Sequence, residues 1–150
     1  MSRRHWLGAA AALAAVVGGL FAWDALVVTD EERLEGLVSN VTGRVSGQRT
    51  SAAIDRWVDL DRQPLEVSAM GESLHFSAGE DAALAERAGR AVRELRGVTL
   101  RAMQTAIVVE GDEATVRLRL FSRERGMSRV EWRLIRHDED WLVERFALTR

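Results

Sequence analysis

The sequence lacks three residue types on which many enzymes depend. Among its 150 residues there is no Cys and no Tyr, and all 21 basic residues are Arg, so that Lys is missing as well. The absence of Cys excludes thiolate nucleophiles, disulfides and zinc–cysteine sites. The absence of Lys excludes a lysine Schiff base. Without Tyr, no phenol hydroxyl can stabilise an oxyanion. These absences exclude whole reaction mechanisms before any motif is considered.

An excess of charge of one sign is also missing. The chain has 21 basic and 23 acidic residues, which gives a net charge of −2. Its overall electrostatic field would therefore not attract nucleic acid. The three His residues do not fall into clusters with Asp or Glu at a spacing typical of metal ligands. We therefore expect no nucleic-acid partner, no metal site and no cofactor.

The longest uncharged stretch lies near the N-terminus. Residues 6–23 carry no charged side chain, and Arg3 and Arg4 precede them. As a helix this run would be ~27 Å long, which is enough to cross the hydrocarbon core of a bilayer. The two arginines predict a cytoplasmic N-terminus. We expect residues 1–28 to be an uncleaved signal anchor in a bacterial inner membrane, with residues 29–150 as a periplasmic domain.

Two other interpretations of this segment stay open. A cleaved secretory signal has a shorter apolar region and a small-x-small cleavage site. A twin-arginine export signal would use Arg3 and Arg4 ahead of the Ala- and Gly-rich run. All three interpretations place residues 29–150 outside the cytoplasm.

Helical patterns appear in the first two thirds of that domain. Capping-box patterns at residues 29–32 and 77–80 each precede apolar residues at helical spacing. A further short helix is predicted to begin after Thr50 or Ser51. The sequence therefore predicts three helices in the domain.

Strand patterns occupy the rest of the domain. Pro64 cannot continue a helix, and residues 65–76 alternate around Gly71 as a hairpin does. Four longer strands are predicted at about 98–110, 113–122, 128–137 and 141–149. This order of elements is typical of an α+β domain with helices on one face of a curved, mostly antiparallel sheet.

Alternation along the long strands separates two faces. With Val116 placed opposite Leu134, one continuous apolar face forms, and a shift of one residue would scatter it over both sides. The same register puts Arg119 opposite Glu131 and Arg117 opposite Arg133. The apolar face contains Met103, Ile107, Val109, Val116, Leu118, Leu120, Val130, Trp132 and Leu134, and the opposite face contains Gln104, Ala106, Arg117, Arg119, Phe121, Arg129, Glu131 and Arg133.

The C-terminal segment resembles a known superfamily. Residues 130–143 give a Trp-x-Leu strand, an acidic turn and a second Trp, and with the order of elements they resemble the nuclear transport factor 2-like superfamily over residues 29–150. The turn has Asp138-Glu139 where that superfamily often has Asp-Gly. The resemblance implies a cone with a pocket between sheet and helices. It implies little about function, because the superfamily includes isomerases, dehydratases, cyclases and scaffolds.

The first functional hypothesis is a membrane-anchored, non-catalytic module. It would bind an envelope protein through the polar face or a small apolar ligand in the cone. The partner-facing candidates are Arg117, Arg119, Arg129, Glu131 and Arg133, and the pocket candidates are Trp57, Met103, Leu118, Leu120, Trp132 and Leu134. Homodimerisation through the polar face is a weaker option, because Arg117 opposite Arg133 disfavours close self-packing.

The alternative hypothesis is a small isomerase, dehydratase or cyclase, as the resemblance allows. Asp59 or Asp61 would act as the base, with His75 or Arg101 stabilising developing charge. Alternation places Arg101 on the apolar face, toward a pocket mouth. The missing Tyr means that the oxyanion hole of the ketosteroid isomerase type cannot be copied here. An open pocket with a titratable group would favour this hypothesis, whereas a filled cone would disfavour it.

Overall fold

The structure, a computed structural model, describes residues 28–150, so the predicted anchor at residues 6–23 lies outside the described residues. Within the described range, none of the helices has the length and apolar character needed to span a bilayer. The described elements are, in chain order, α1 (Asp30–Val41), β1 (Gly43–Arg44), α2 (Gly47–Trp57), β2 (Leu65–Ala69), β3 (Glu72–Phe76), α3 (Asp81–Glu94), β4 (Thr99–Glu110), β5 (Glu113–Ser122), β6 (Gly126–His137) and β7 (Asp140–Thr149).

The strands form one mixed sheet in the order β1-β4-β5-β6-β7-β2-β3. The β2–β7 pair is parallel, and every other neighbouring pair in this sheet is antiparallel. Apolar residues of all three helices pack with the inner side of the sheet in one core that includes Leu34, Trp57, Leu84 and Val116. The predicted α+β class is confirmed.

Helix α1 begins with the predicted capping box. The Thr29 hydroxyl accepts a hydrogen bond from the backbone N–H of Glu32 at 3.2 Å, and the Glu32 carboxylate accepts one from the backbone N–H of Thr29 at 3.0 Å. These bonds satisfy two backbone donors that the first turn of a helix would otherwise leave free.

Replacing Thr29 with Ala is expected to lower the free energy of unfolding by about 1 kcal/mol, because the hydroxyl acceptor is lost. Thr29→Ser keeps that acceptor and is expected to stay within about 0.5 kcal/mol of the wild type. Urea denaturation followed by circular dichroism measures both. Equal losses in the two variants would show that the cap does not stabilise the domain.

The other two helices begin differently from the prediction. Helix α2 begins at Gly47, earlier than Thr50, because Ser46 is its N-cap and accepts from the backbone N–H of Arg49 at 3.3 Å. The second capping box is only half formed: the Glu80 carboxylate accepts from the backbone N–H of Ser77 at 2.6 Å, but Glu80 has no side-chain cap bond to its helix.

The predicted faces of β5 and β6 are confirmed, but the predicted β5–β6 register is wrong by two residues. Val116 lies opposite Trp132, and Arg117 lies opposite Glu131. The physical reason is the turn: β6 begins at Gly126, directly opposite Ser122, so the connection is shorter than expected. Because side chains alternate with a period of two, a shift of two residues leaves every residue on its predicted face.

A bulge in β4 overturns two placements. Regular pairing with β5 is interrupted between Ala102 and Gln104, and Met103 is the extra residue. An extra residue reverses the alternation beyond it. Arg101 therefore lies opposite Phe121, on the side of the sheet away from the helices, and not on the apolar face. Met103 is 62% exposed and does not line an interior pocket.

Candidate functional site

The interior of the cone is occupied by side chains. Five of the six pocket candidates are buried members of the core, and only Met103 lies outside it. The Trp132 ring lies against Phe146 with ring centroids 5.7 Å apart and is tilted by 53°. The buried candidates are Trp57, Leu118, Leu120, Trp132 and Leu134. These residues contribute packing where the pocket hypothesis needs open space.

The two candidate acids lie in the loop between α2 and β2. The Asp59 carboxylate accepts from the backbone N–H groups of Asp61 and Arg62, both at 3.2 Å, so it stabilises the turn that ends the α2 segment. Asp61 is exposed. A carboxylate in this role is typical of an Asx turn. The geometry gives Asp59 a structural task.

The other two enzyme candidates are far apart. His75 is exposed on the edge strand β3, whereas Arg101 is on β4 toward the opposite edge of the sheet. Five strand spacings separate β3 from β4, which is roughly 24 Å along the sheet. The structure does not bring these two residues together. In the described residues, no group of His, Asp and Glu could hold a metal ion.

The side of the sheet turned away from the helices is the candidate interaction surface. We call this surface the outer sheet face. It consists of rows of residues that pair across neighbouring strands, because paired residues project to the same side of a sheet. All five partner-facing candidates lie on it, as predicted. Its rows are Arg101, Phe121 and Met127; Gln104, Arg119, Arg129 and Thr149; Ala106, Arg117, Glu131 and Ala147; and Val108, Thr115, Arg133, Arg145, Glu66 and His75.

Some arginines of the outer sheet face are neutralised by neighbouring carboxylates. Arg117 donates to Glu131 at 2.7 Å, and Arg145 donates to Glu66 at 2.9 Å. The corrected register creates the first of these pairs and removes the expected Arg117–Arg133 opposition. Repulsion between Arg117 and Arg133 therefore does not disfavour self-association through this face.

Arg119 and Arg129 lie directly opposite each other in the next row. Neither forms an ion pair with a carboxylate of residues 28–150. Like charges directly across a strand pair destabilise a sheet. Two guanidinium groups with ten N–H donors between them therefore face solvent where an anion from outside would relieve their repulsion.

A shallow depression and exposed apolar side chains accompany these two arginines. The depression has a volume of about 190 Å³ and is lined by Arg119, Arg129 and Arg150 together with Met127 and Ser128. In the adjoining row, Phe121 is 36% exposed and Met127 is 42% exposed. Arg, aromatic residues and Met are enriched in protein interfaces. The surface can accept carboxylates and apolar groups at the same time.

Sequence reasoning missed a polar cluster at the end of the sheet where α1 begins. The Asp30 carboxylate accepts from the indole N–H of Trp141 at 3.0 Å and from the guanidinium of Arg136. These contacts hold the pKa of Asp30 below its ordinary value, the Trp141 bond contributing most and burial opposing it. Asp30 is more than 100 residues from both partners, so no local spacing could have indicated the cluster.

The same end of the sheet contains a second group of polar contacts. Arg62 donates to the Asp140 carboxylate at 3.0 Å and to the backbone carbonyl of His137 at 3.1 Å. The His137 ring nitrogen Nε2 lies 3.0 Å from the side-chain oxygen of Gln63. These contacts join the β6–β7 turn to the loop before β2, and they give His137 a structural role.

Comparisons with known proteins agree with this architecture. No family model matches the sequence, and no curated protein matches it. A candidate ketosteroid isomerase from Parabacteroides distasonis has a TM-score of 0.58 at 12% identity, over 80% of this chain and 86% of that one. Another, from Shewanella frigidimarina, has a TM-score of 0.56 at 15% identity, over 69% and 84%.

A third solved structure, of a protein whose name contains the abbreviation of nuclear transport factor 2, has a TM-score of 0.57 at 10% identity, over 81% of this chain and all of its own. At these identities the likeness shows the fold alone. The described residues have a nuclear transport factor 2-like fold, as the C-terminal motif and the order of elements predict.

Proposed function

We propose that residues 29–150 are a non-catalytic interaction module that binds an acidic partner protein through the outer sheet face. The N-terminal segment at residues 6–23 would hold this module on the periplasmic side of a bacterial inner membrane. The observation that carries the proposal is the facing pair Arg119 and Arg129, which has no carboxylate partner in the described chain and lies beside exposed apolar side chains.

The packing of the cone favours a protein partner over a small apolar ligand. Trp132 and Leu118 are buried in the position where such a ligand would have to bind. The enzyme alternative needs an acid and a charge-stabilising group that converge on one open pocket. Asp59 stabilises a turn, and His75 and Arg101 are near opposite edges of the sheet. Arg119 and Arg129 of the outer sheet face are, by contrast, already exposed to solvent.

Affinity capture from the membranes of the producing cell tests the proposal. Arg119→Gln with Arg129→Gln should reduce recovery of the partner at least roughly tenfold, because each lost charge-assisted hydrogen bond contributes about 1.5–3 kcal/mol. The matched control is Arg87→Gln with Arg90→Gln, which also removes two positive charges, but from exposed ion pairs on α3. That control should capture as much partner as the wild type.

Three results would overturn the proposal. Equal recovery by the Arg119/Arg129 variant and the wild type would place the binding surface elsewhere. Recovery of a bound small molecule with no stoichiometric protein would support the ligand or enzyme hypotheses instead. Recovery of only a second copy of the chain, lost in the Arg119/Arg129 variant, would make the face a homodimer interface and exclude a distinct partner.

A further inference from the structure

A second concave surface lies between helices α2 and α3, away from the outer sheet face. It is a groove of about 610 Å³, which is within the ~300–1,000 Å³ range of small-molecule sites. No residue of β5, β6 or β7 lines it, so it is distinct from the packed interior of the cone. The residues that line it belong to the segments 44–55 and 85–97.

The groove is positively charged at one end, and its walls combine aliphatic and hydroxyl-bearing side chains. Arg44, Arg93 and Arg96 come from the segments next to the start of α2 and the end of α3, and none of the three has an ion-pair partner within residues 28–150. Asp55, near the other end of α2, is the one acidic residue of the lining. Three guanidinium groups against one carboxylate leave the groove with a net positive charge.

Small and aliphatic side chains form the walls between these ends. Val45, Ile54 and Val92 contribute aliphatic surface. Ala88 and Gly89 have small side chains and therefore leave space beside α3. The guanidinium of Arg93 lies along this wall, 3.5 Å from the point where a Cβ on Gly89 would be. A Cβ at that point would be in ordinary van der Waals contact with the guanidinium. The groove can therefore bind an extended carbon chain with its charged end beside Arg93.

We propose that this groove binds a single-chain anionic amphiphile, with its carboxylate at Arg44, Arg93 and Arg96 and its alkyl chain along α2 and α3. The arginine cluster matches the negative head, because a guanidinium presents several N–H donors to a carboxylate at once. The Val and Ala walls match the chain, since burying each methylene group is favourable. A neutral alcohol of the same length would satisfy only the second requirement.

Photolabelling tests this proposal on the full-length chain in phosphatidylcholine nanodiscs. The probe is dodecanoate with a photoreactive diazirine at its methyl end, and the matched alcohol is the comparison. Peptide mapping should place the carboxylate label on residues 44–55 and 85–97, with the alcohol label roughly tenfold weaker. The triple variant Arg44→Gln, Arg93→Gln, Arg96→Gln should lose at least roughly tenfold of the carboxylate labelling.

A second variant tests the site without altering charge. Ala88→Phe fills the wall of α3 and should also abolish labelling, whereas Arg87→Gln with Arg90→Gln, outside the groove lining, should leave it unchanged. Circular dichroism checks that each variant is folded. Labels that map within residues 29–150 but outside the groove, equal labelling by acid and alcohol, or full labelling of both Ala88→Phe and the triple arginine variant would each overturn the proposal.

Discussion

Replacing Trp132 with Ala is expected to lower the free energy of unfolding by about 3–5 kcal/mol. Trp132 is 5% exposed, lies opposite Val116 and contacts the ring of Phe146. Truncation would remove its buried apolar surface and leave a cavity in a core that is already packed. Denaturant unfolding of residues 28–150, followed by circular dichroism, measures the loss.

The matched control is Phe121→Ala, which truncates an aromatic side chain on the outer sheet face. Phe121 is partly exposed, so its removal is expected to cost less than about 1 kcal/mol. A Trp132→Ala loss as small as that of the control would show that the cone interior is loosely packed. The interior would then have room for a ligand, and the ligand-binding alternative would regain support.

Replacing Asp30 with Ala is expected to lower the free energy of unfolding by about 1.5–3 kcal/mol, because two charge-assisted hydrogen bonds of a partly buried carboxylate are lost. The variant would leave the Trp141 indole N–H without its acceptor and Arg136 without its closest carboxylate. The Nε of Arg136 is already buried with no hydrogen-bond partner in the described residues, so the arginine would lose its main compensation. Thermal and denaturant unfolding of residues 28–150 measure the effect.

Glu31→Ala is the control for this variant, because Glu31 is an exposed acid in the same helical turn. It should lose only its interaction with the helix dipole, about 0.3–1 kcal/mol. A loss for Asp30→Ala no larger than that would mean that the cluster does not stabilise the domain.

The Asp30 effect should also depend on pH. Because the folded pKa of Asp30 is below its ordinary value of 3.8, the stabilisation is fully present above that value. It is lost as pH falls through the lowered pKa, where the folded carboxyl takes up its proton. The stability difference between wild type and Asp30→Ala should therefore be constant near neutral pH and shrink below about pH 4. A difference that grows in acid would contradict this sign.

The sequence predicts the sides of the sheet better than its detailed pairing. Alternation has a period of two, so it predicts the observed faces of Arg117 and Trp132 although the register that it predicts is wrong by two residues. The length of the turn before Gly126 decides that register, and turn residues alone did not specify it. Alternation predicts the wrong face for Arg101, because nothing in the pattern of apolar and polar residues indicates the bulge at Met103.

The features that depend on tertiary contacts were not predictable from one sequence. Asp30 and Trp141 are brought together by the packing of α1 against the end of the sheet, across 111 residues of chain. The groove depends on how α2 and α3 are spaced, which periodicity does not specify. The filled cone likewise depends on how closely Trp57 and Trp132 pack against their neighbours. The apolar pattern alone is equally compatible with these two residues lining an open pocket.

Site-specific photocrosslinking in the producing cell tests the central claim, binding of a partner by the outer sheet face, most directly. A photoreactive amino acid at Gln104 or Ala106, beside Arg119 and Arg117, should give one adduct that Arg119→Gln with Arg129→Gln removes. The same amino acid at the exposed Ala83 or Ala91 of α3 should give none. Adducts from the α3 positions, with none from Gln104 or Ala106, would contradict the account.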